Sequence, residues 1–320
     1  MRTSFWALLI LQLLAGKLCY AESDKTPQSS DTSFFPVWGE EATARGYELP
    51  EPVGINVSHM NIRQNVDVDS ITFSGLSLGS HPIPVDMFAI DVGNTREHST
   101  TDNIRLDLWV FPFLNVYGLL GNTQGASIST VSVDANPANF SGIDHLIAQS
   151  VHRMHQSGEL QNIDFKLKFK GMTWGGGVTL AGGYNDWFAL VDTNYTRTDF
   201  DILDGKISAL TVSPRVGYRF HFTGIAGPSH LSLWVGSMYQ DVQQEFKGSL
   251  ADLSMPVVLV PLINSVNQNG QGRFAVNQHL TSPWNLLVGM QYEITQNFNI
   301  LAEVGFDERN SFFIAGEYRF

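Results

Sequence analysis

The chain has 320 residues, 43% hydrophobic and 12% aromatic, with a mean hydropathy of -0.04; it can bury a large core but is too polar for a bundle of transmembrane helices. Its 19 basic and 31 acidic residues give a net charge of -12, which argues against nucleic acid as a partner. With Cys19 as the single cysteine, no intrachain disulfide can form.

The first 21 residues carry Arg2, an apolar core from Trp6 to Gly16, and Cys19-Tyr20-Ala21 ending in a small residue, which predicts an export signal removed on secretion. Its loss takes Arg2, Lys17 and Cys19 and leaves 17 basic and 31 acidic residues, a net charge of -14. Residues 22–52 are rich in Ser, Thr, Asp, Glu and Pro and predict a flexible lead-in. From Val53 onward alternating runs take over, so residues 53–320 are expected to form one domain.

Period-two alternation predicts strands at Val53–Ile62, Val66–Leu78, Asp86–Gly93, Ile104–Phe111 and Val116–Thr123, the last two joined by a tight turn over Pro112–Asn115. A long connection follows, Gln124–Asn162, with helix character over Gly142–Gln156. His152 and His155 sit one turn apart there and are weak metal candidates, loop histidines being the commoner reading; Ser150 lies in no nucleophile elbow. In Asp164–Tyr184, Phe165, Leu167 and Phe169 oppose Lys166, Lys168 and Lys170, yet from Trp174 the oily positions are the even ones, Val178, Leu180 and Tyr184. That phase change predicts a β-bulge near Gly171–Thr173. The bare face made by Gly175, Gly177, Thr179, Ala181 and Gly183 predicts open space beside the strand.

Further strands are predicted at Trp187–Tyr195, Leu210–Phe222 and Leu231–Tyr239. Arg215, Arg219 and His221 share one face of the second, which must be wet or ion-paired, and Pro214 predicts a local bulge. A second long connection, Phe246–Ser282, holds the apolar run Met255–Val266, expected to fold into a barrel mouth or onto a membrane surface. Trp284–Glu293 has aromatics at both ends of its oily face, as interfacial girdles do. Asn299–Phe306 and Ser311–Phe320 complete the set across the turn Asp307–Asn310.

The last strand ends in Tyr318-Arg319-Phe320, and with its aromatic-flanked oily face the chain resembles Gram-negative outer-membrane β-barrel proteins. Their final strand commonly ends in Phe with an aromatic or apolar residue two before it; here Ala315 stands where that family usually has Gly. The resemblance implies an all-β, transmembrane antiparallel up-and-down barrel of about 12 strands, with 10 to 14 possible. It also implies termini and lead-in in the periplasm, both long loops outside the cell, and Tyr318 and Phe320 as an assembly signal for the barrel-assembly machinery. Outer-membrane lipid and lipopolysaccharide would be further partners.

On such a fold the opposite strand faces place Arg105, Asp107, Lys166, Lys168, Lys170, Asp192, Arg215, Arg219, Glu293, Glu303, Glu317 and Arg319 on the lumen. Mixed signs there suit either a pore lining or a bracing network. The expected function is a pore or transporter for small or amphipathic solutes, without catalysis or cofactor. A surface protein acting through its loops, and an outer-membrane lipid-modifying enzyme, are the alternatives.

Overall fold

The computed structural model describes residues 34–201, 204–224, 227–253, 257 and 259–320. The expected export signal lies outside them, as do Met255, Pro256 and Val258 of the apolar run. The lead-in, expected to be flexible, contains one short helix, α1, Gly39–Ala44. The Val37 N–H donates to Val110 O at 2.8 Å, and the Trp38 ring lies 5.0 Å from that of Phe111.

In chain order the strands are β1 Val53–Ser74, β2 Ser77–Leu78, β3 His81–Pro82, β4 Ala89–Phe111 and β5 Leu114–Asp134. Helix α2, Gly142–Gln156, follows where the sequence places it. Then come β6 Ile163–Tyr184, β7 Trp187–Phe200, β8 Asp204–Gly224, β9 Gly227–Ser249, helix α3 Val260–Val266, β10 Arg273–Leu280, β11 Trp284–Glu293, β12 Phe298–Phe306 and β13 Arg309–Arg319. Apart from the small β2–β3 hairpin, all pair in one antiparallel sheet of eleven strands, which closes where β4 returns to β1. The expected barrel is therefore present, within the expected range of strand number. Its parts are divided differently: the first four expected strands are two long ones, β1 and β4, and β10 lies inside what was expected to be a loop.

Pairing from Val57 through Ile104, Leu120, Trp174, Arg197, Ser208, Gln243 and His279 returns to β1 at Asp67, ten residues further along. Such a stagger tilts the strands by roughly 40° to the barrel axis. Neither expected bulge is present. β5 and β6 stay in register from Leu114↔Leu180 to Val131↔Ile163, and Pro214 keeps its place opposite Val191. The irregularities fall at Val68/Ser70, Val92/Thr95 and Trp109/Phe111.

The outward residues of the proximal half, where β1 begins and β13 finishes, are apolar and exposed, among them Leu106, Leu120, Val178, Val216, Val235, Val288, Val304 and Ile314. Exposed aromatics flank them: Trp187, Phe222 and Phe320 on one side, Tyr195, Trp284, Phe306 and Phe312 on the other. A belt of this kind is stable only against hydrocarbon. An Arg in place of Val288, near mid-belt on β11, is expected to destabilise the barrel by about 2–4 kcal/mol, read from urea unfolding in lipid vesicles.

A spanning strand needs roughly 9–11 residues. β11, β12 and β13 have 10, 9 and 11, whereas β1, β4, β5, β6, β8 and β9 have 21 to 23 and project well beyond the belt. The β12–β13 hairpin ends at Asp307-Glu308, and past it β10 pairs directly with β1, from Val66↔Leu280 to Ser74↔Arg273. Ten strands thus become eight. At the joint Tyr239 faces Trp284 while Gln243 faces His279, so β10–β11 uses five residues where β9 uses four. Pro283, which has no N–H to give a ladder, stands in that extra stretch, and the Asn285 amide bonds both Arg309 N (3.2 Å) and Arg309 O (2.9 Å) beside it.

Candidate functional site

Inside the proximal half lies a cavity of about 2080 Å³ whose walls mix charged and polar residues with apolar ones. Side chains alternate across each strand, so the same strands that give lipid an oily surface give the lumen its charges from the residues in between. Arg215 on β8 holds Glu303 on β12 through two bonds, Nε to Oε2 at 2.6 Å and Nη2 to Oε1 at 2.9 Å, and the Trp234 indole N–H donates to the same carboxylate at 2.7 Å. Trp234 reaches it because Gly289 has no side chain: a Cβ there would overlap the indole.

A second network crosses the barrel seam. Arg319 donates to Asp107 at 2.8 Å, to Glu317 at 2.9 Å and to Glu51 O at 2.8 Å, while Asn115 links Asp107 (2.6 Å) to Arg105 (3.0 Å). The Arg105 guanidinium lies 3.7 Å over the Tyr117 ring, whose hydroxyl donates to Asp192 at 2.9 Å. Thr179 also donates to Asp192, at 2.7 Å. The bare strand face is filled here, since Tyr117 packs against Gly177. Further along, Thr101, Thr123, Thr173 and Thr198 form a hydroxyl ladder across four strands, with oxygens 2.9, 2.6 and 2.7 Å apart.

The polar walls end at Glu97, which accepts from Gln64 at 3.0 Å, and at the paired amides of Gln244 and Gln278. Next comes an apolar layer of Val66, Val242 and Leu280, with Ile207 and Ala209 against it. Past that layer the wall divides. β1 leaves β4 after Val66↔Thr95, and β6 has no β7 partner beyond Gly171↔Phe200. Two ribbons remain, β4–β5–β6 and β1–β10–β9–β8, and they close on an apolar core. Val131, Val133, Ile163, Leu167 and Phe169 meet Phe246, Phe274 and Val276, with Ala148 and Val151 of α2 and Leu76, Ile83 and Met87 joining them. The Phe246 ring stacks on Phe200 at 5.0 Å and tilts against Phe169 at 5.6 Å. This cap shuts the distal end of the lumen.

Of the charged set expected on the lumen, Arg105, Asp192, Arg215, Arg219, Glu293, Glu303, Glu317 and Arg319 line the cavity, and Asp107 is buried in its wall. Lys166, Lys168 and Lys170 do not. They face outward on the distal half of β6, beside Gln124 and Ala126, because the strand keeps its phase and Phe165, Leu167 and Phe169 point into the cap. His152 and His155 are separately engaged, with Asp134 at 2.8 Å and with Val133 O at 3.0 Å, and the Ser150 hydroxyl donates to Leu146 O in its own helix. At Asp134, in the cap, burial would lift the carboxyl, but the His152 and Ala135 N–H bonds hold it below the usual carboxylate range. Tyr117, Asn115, Trp234 and the threonine ladder were not singled out from sequence. Only their place on the inward phase of their strands marks them.

The architecture and belt define the class: an outer-membrane-type β-barrel. Searched by sequence, the chain matches no protein-family model and no curated protein. Among solved structures it is similar to the β domain of the Bordetella autotransporter BrkA (11% identity, TM-score 0.38, 84% of this chain and 100% of that one). It is also similar to OprG from Pseudomonas aeruginosa (11%, 0.34, 85% and 100%) and the Ralstonia pickettii toluene transporter TbuX (13%, 0.31, 85% and 90%).

Proposed function

We propose that this chain is a gated channel of a Gram-negative outer membrane, closed at its distal end in the resting state, that passes small polar or amphipathic solutes without catalysis. In this reading the proximal end with both chain ends faces the periplasm and the cap faces outward. Lipopolysaccharide and phospholipid surround the belt, and Tyr318 and Phe320 are read by the assembly machinery. One observation carries it: a charged lumen of about 2080 Å³ runs up to an apolar layer and stops there. A barrel that served only as an anchor could fill its lumen with side chains, as eight-stranded barrels do. Mixed charges held in pairs leave a wet passage of moderate local field rather than a strongly anion- or cation-selective one.

The test is electrical. In planar bilayers the wild-type barrel is expected to be silent, and a variant with residues 250–272 replaced by a short Gly-Ser turn is expected to give discrete currents. Silence of that variant, shown to be folded by heat-modifiable migration on a gel, would remove the reading. The projecting strands favour one other role, a surface module that binds a partner through its cap; the same replacement would then abolish partner binding and give no current.

A further inference from the structure

We propose that the proximal mouth of the lumen holds a zinc-class divalent cation between His221, His230 and Glu48. His221 on β8 and His230 on β9 stand directly opposite each other in the ladder, with ring centroids 4.5 Å apart at 75°. A nitrogen of each ring and a carboxylate oxygen of Glu48, from the lead-in, lie within 4.8 Å of one another. Zinc binds such ligands at about 2.0–2.2 Å, so small side-chain rotations bring all three onto one ion.

The surroundings are those of metal ligands. Nε2 of His221 bonds Asp186 Oδ1 at 3.0 Å, and Nδ1 of His230 bonds Glu293 Oε2 at 2.8 Å. A carboxylate accepts and does not donate, so those nitrogens carry protons, and the opposite nitrogens, Nδ1 of His221 and Nε2 of His230, are the ones a metal would take with each ring singly protonated. Three carboxylates, Glu48, Asp186 and Glu293, gather around the two imidazoles, a setting whose negative charge a dication offsets. Two histidines and one carboxylate leave a fourth position for water, a set that zinc accepts. Glu48 precedes β1 whereas the histidines belong to the barrel wall, so the ion would pin the lead-in across the mouth. This inference does not depend on whether the lumen conducts.

The experiment uses the untagged full barrel refolded in detergent, stripped with a chelator and titrated calorimetrically with zinc chloride. One zinc per chain is expected, with binding lost in His221→Ala and His230→Ala and affinity lowered about 10- to 100-fold in Asp186→Asn. Zinc is also expected to slow tryptic cleavage after Arg45 in the wild type and not in Glu48→Gln. No binding by a folded wild-type barrel, or binding unchanged in the two histidine variants, would overturn the site. Unchanged cleavage after Arg45 would overturn the part given to Glu48.

Discussion

Replacing Phe246 by Ala is expected to open the distal end, turning a silent barrel into a conducting one at a cost of about 3–5 kcal/mol to the cap. Phe246 is fully buried, and its ring is the bridge between the two ribbons, touching Phe169 of β6 on one side and Phe200 at the end of β7 on the other. Among the described residues the β6–β7 ladder ends at Gly171↔Phe200, with one further bond from Asp201 N–H to Lys170 O at 2.9 Å, so side-chain packing carries most of the contact between the ribbons. Truncation leaves a cavity the size of a benzene ring between surfaces that can separate. The ten-stranded half keeps its hydrogen bonds and its belt. The variant should therefore migrate as a folded, heat-modifiable barrel while proteases cut its distal loops and planar-bilayer recordings show currents. A cap that becomes protease-sensitive while the bilayer stays silent would mean that the barrier lies elsewhere.

Replacing Glu303 by Leu is expected to cost about 3–5 kcal/mol of barrel stability, most of which returns when Arg215 is changed to Met in the same chain. The Glu303 carboxylate is almost wholly withdrawn from water and Arg215 nearly so, and the two share a bidentate pair. Removing the acid alone leaves a buried guanidinium without its bidentate partner and the Trp234 N–H without its acceptor, the latter a further loss of about 1 kcal/mol. Removing both charges replaces a desolvated pair by apolar contacts of similar volume, which proteins tolerate well. Urea unfolding of the two variants in lipid vesicles measures the difference. If the double variant is as unstable as Glu303→Leu, the pair is not what braces β8 to β12.

The barrel itself was legible from alternation alone, because lipid on one side and a charged lumen on the other impose opposite demands on successive residues. β11, β12 and β13, which barely exceed the belt, were placed to within a residue or two. β6 shows where that reading fails. Its oily residues change from odd to even positions along the chain, which looks like an inserted residue, but the register has none. What changes is the surroundings: in the belt the outside is oil and the inside water, and in the cap the inside is oil and the outside water. Lys166, Lys168 and Lys170 were assigned to the lumen for that reason. The same inversion hid the continuity of β1 and β4 and the existence of β10, whose inward Phe274, Val276 and Leu280 serve the cap. The cross-strand partners of Arg215, Arg319 and Asp192 were beyond sequence, since nothing local says which strand lies across the lumen.

The loss of two strands at Asp307-Glu308 decides which part of the molecule feels the bilayer. The wider hoop alone is gripped by acyl chains; in the narrower collar β9 and β10 turn Gln243, Glu245, Asn277 and His279 outward, all suited to water. Lateral pressure, curvature and lipid thickness therefore load the hoop, while the aperture above it is set by side-chain packing in an aqueous setting. Mechanical stress in the membrane and the packing of the collar are, on this plan, separate variables.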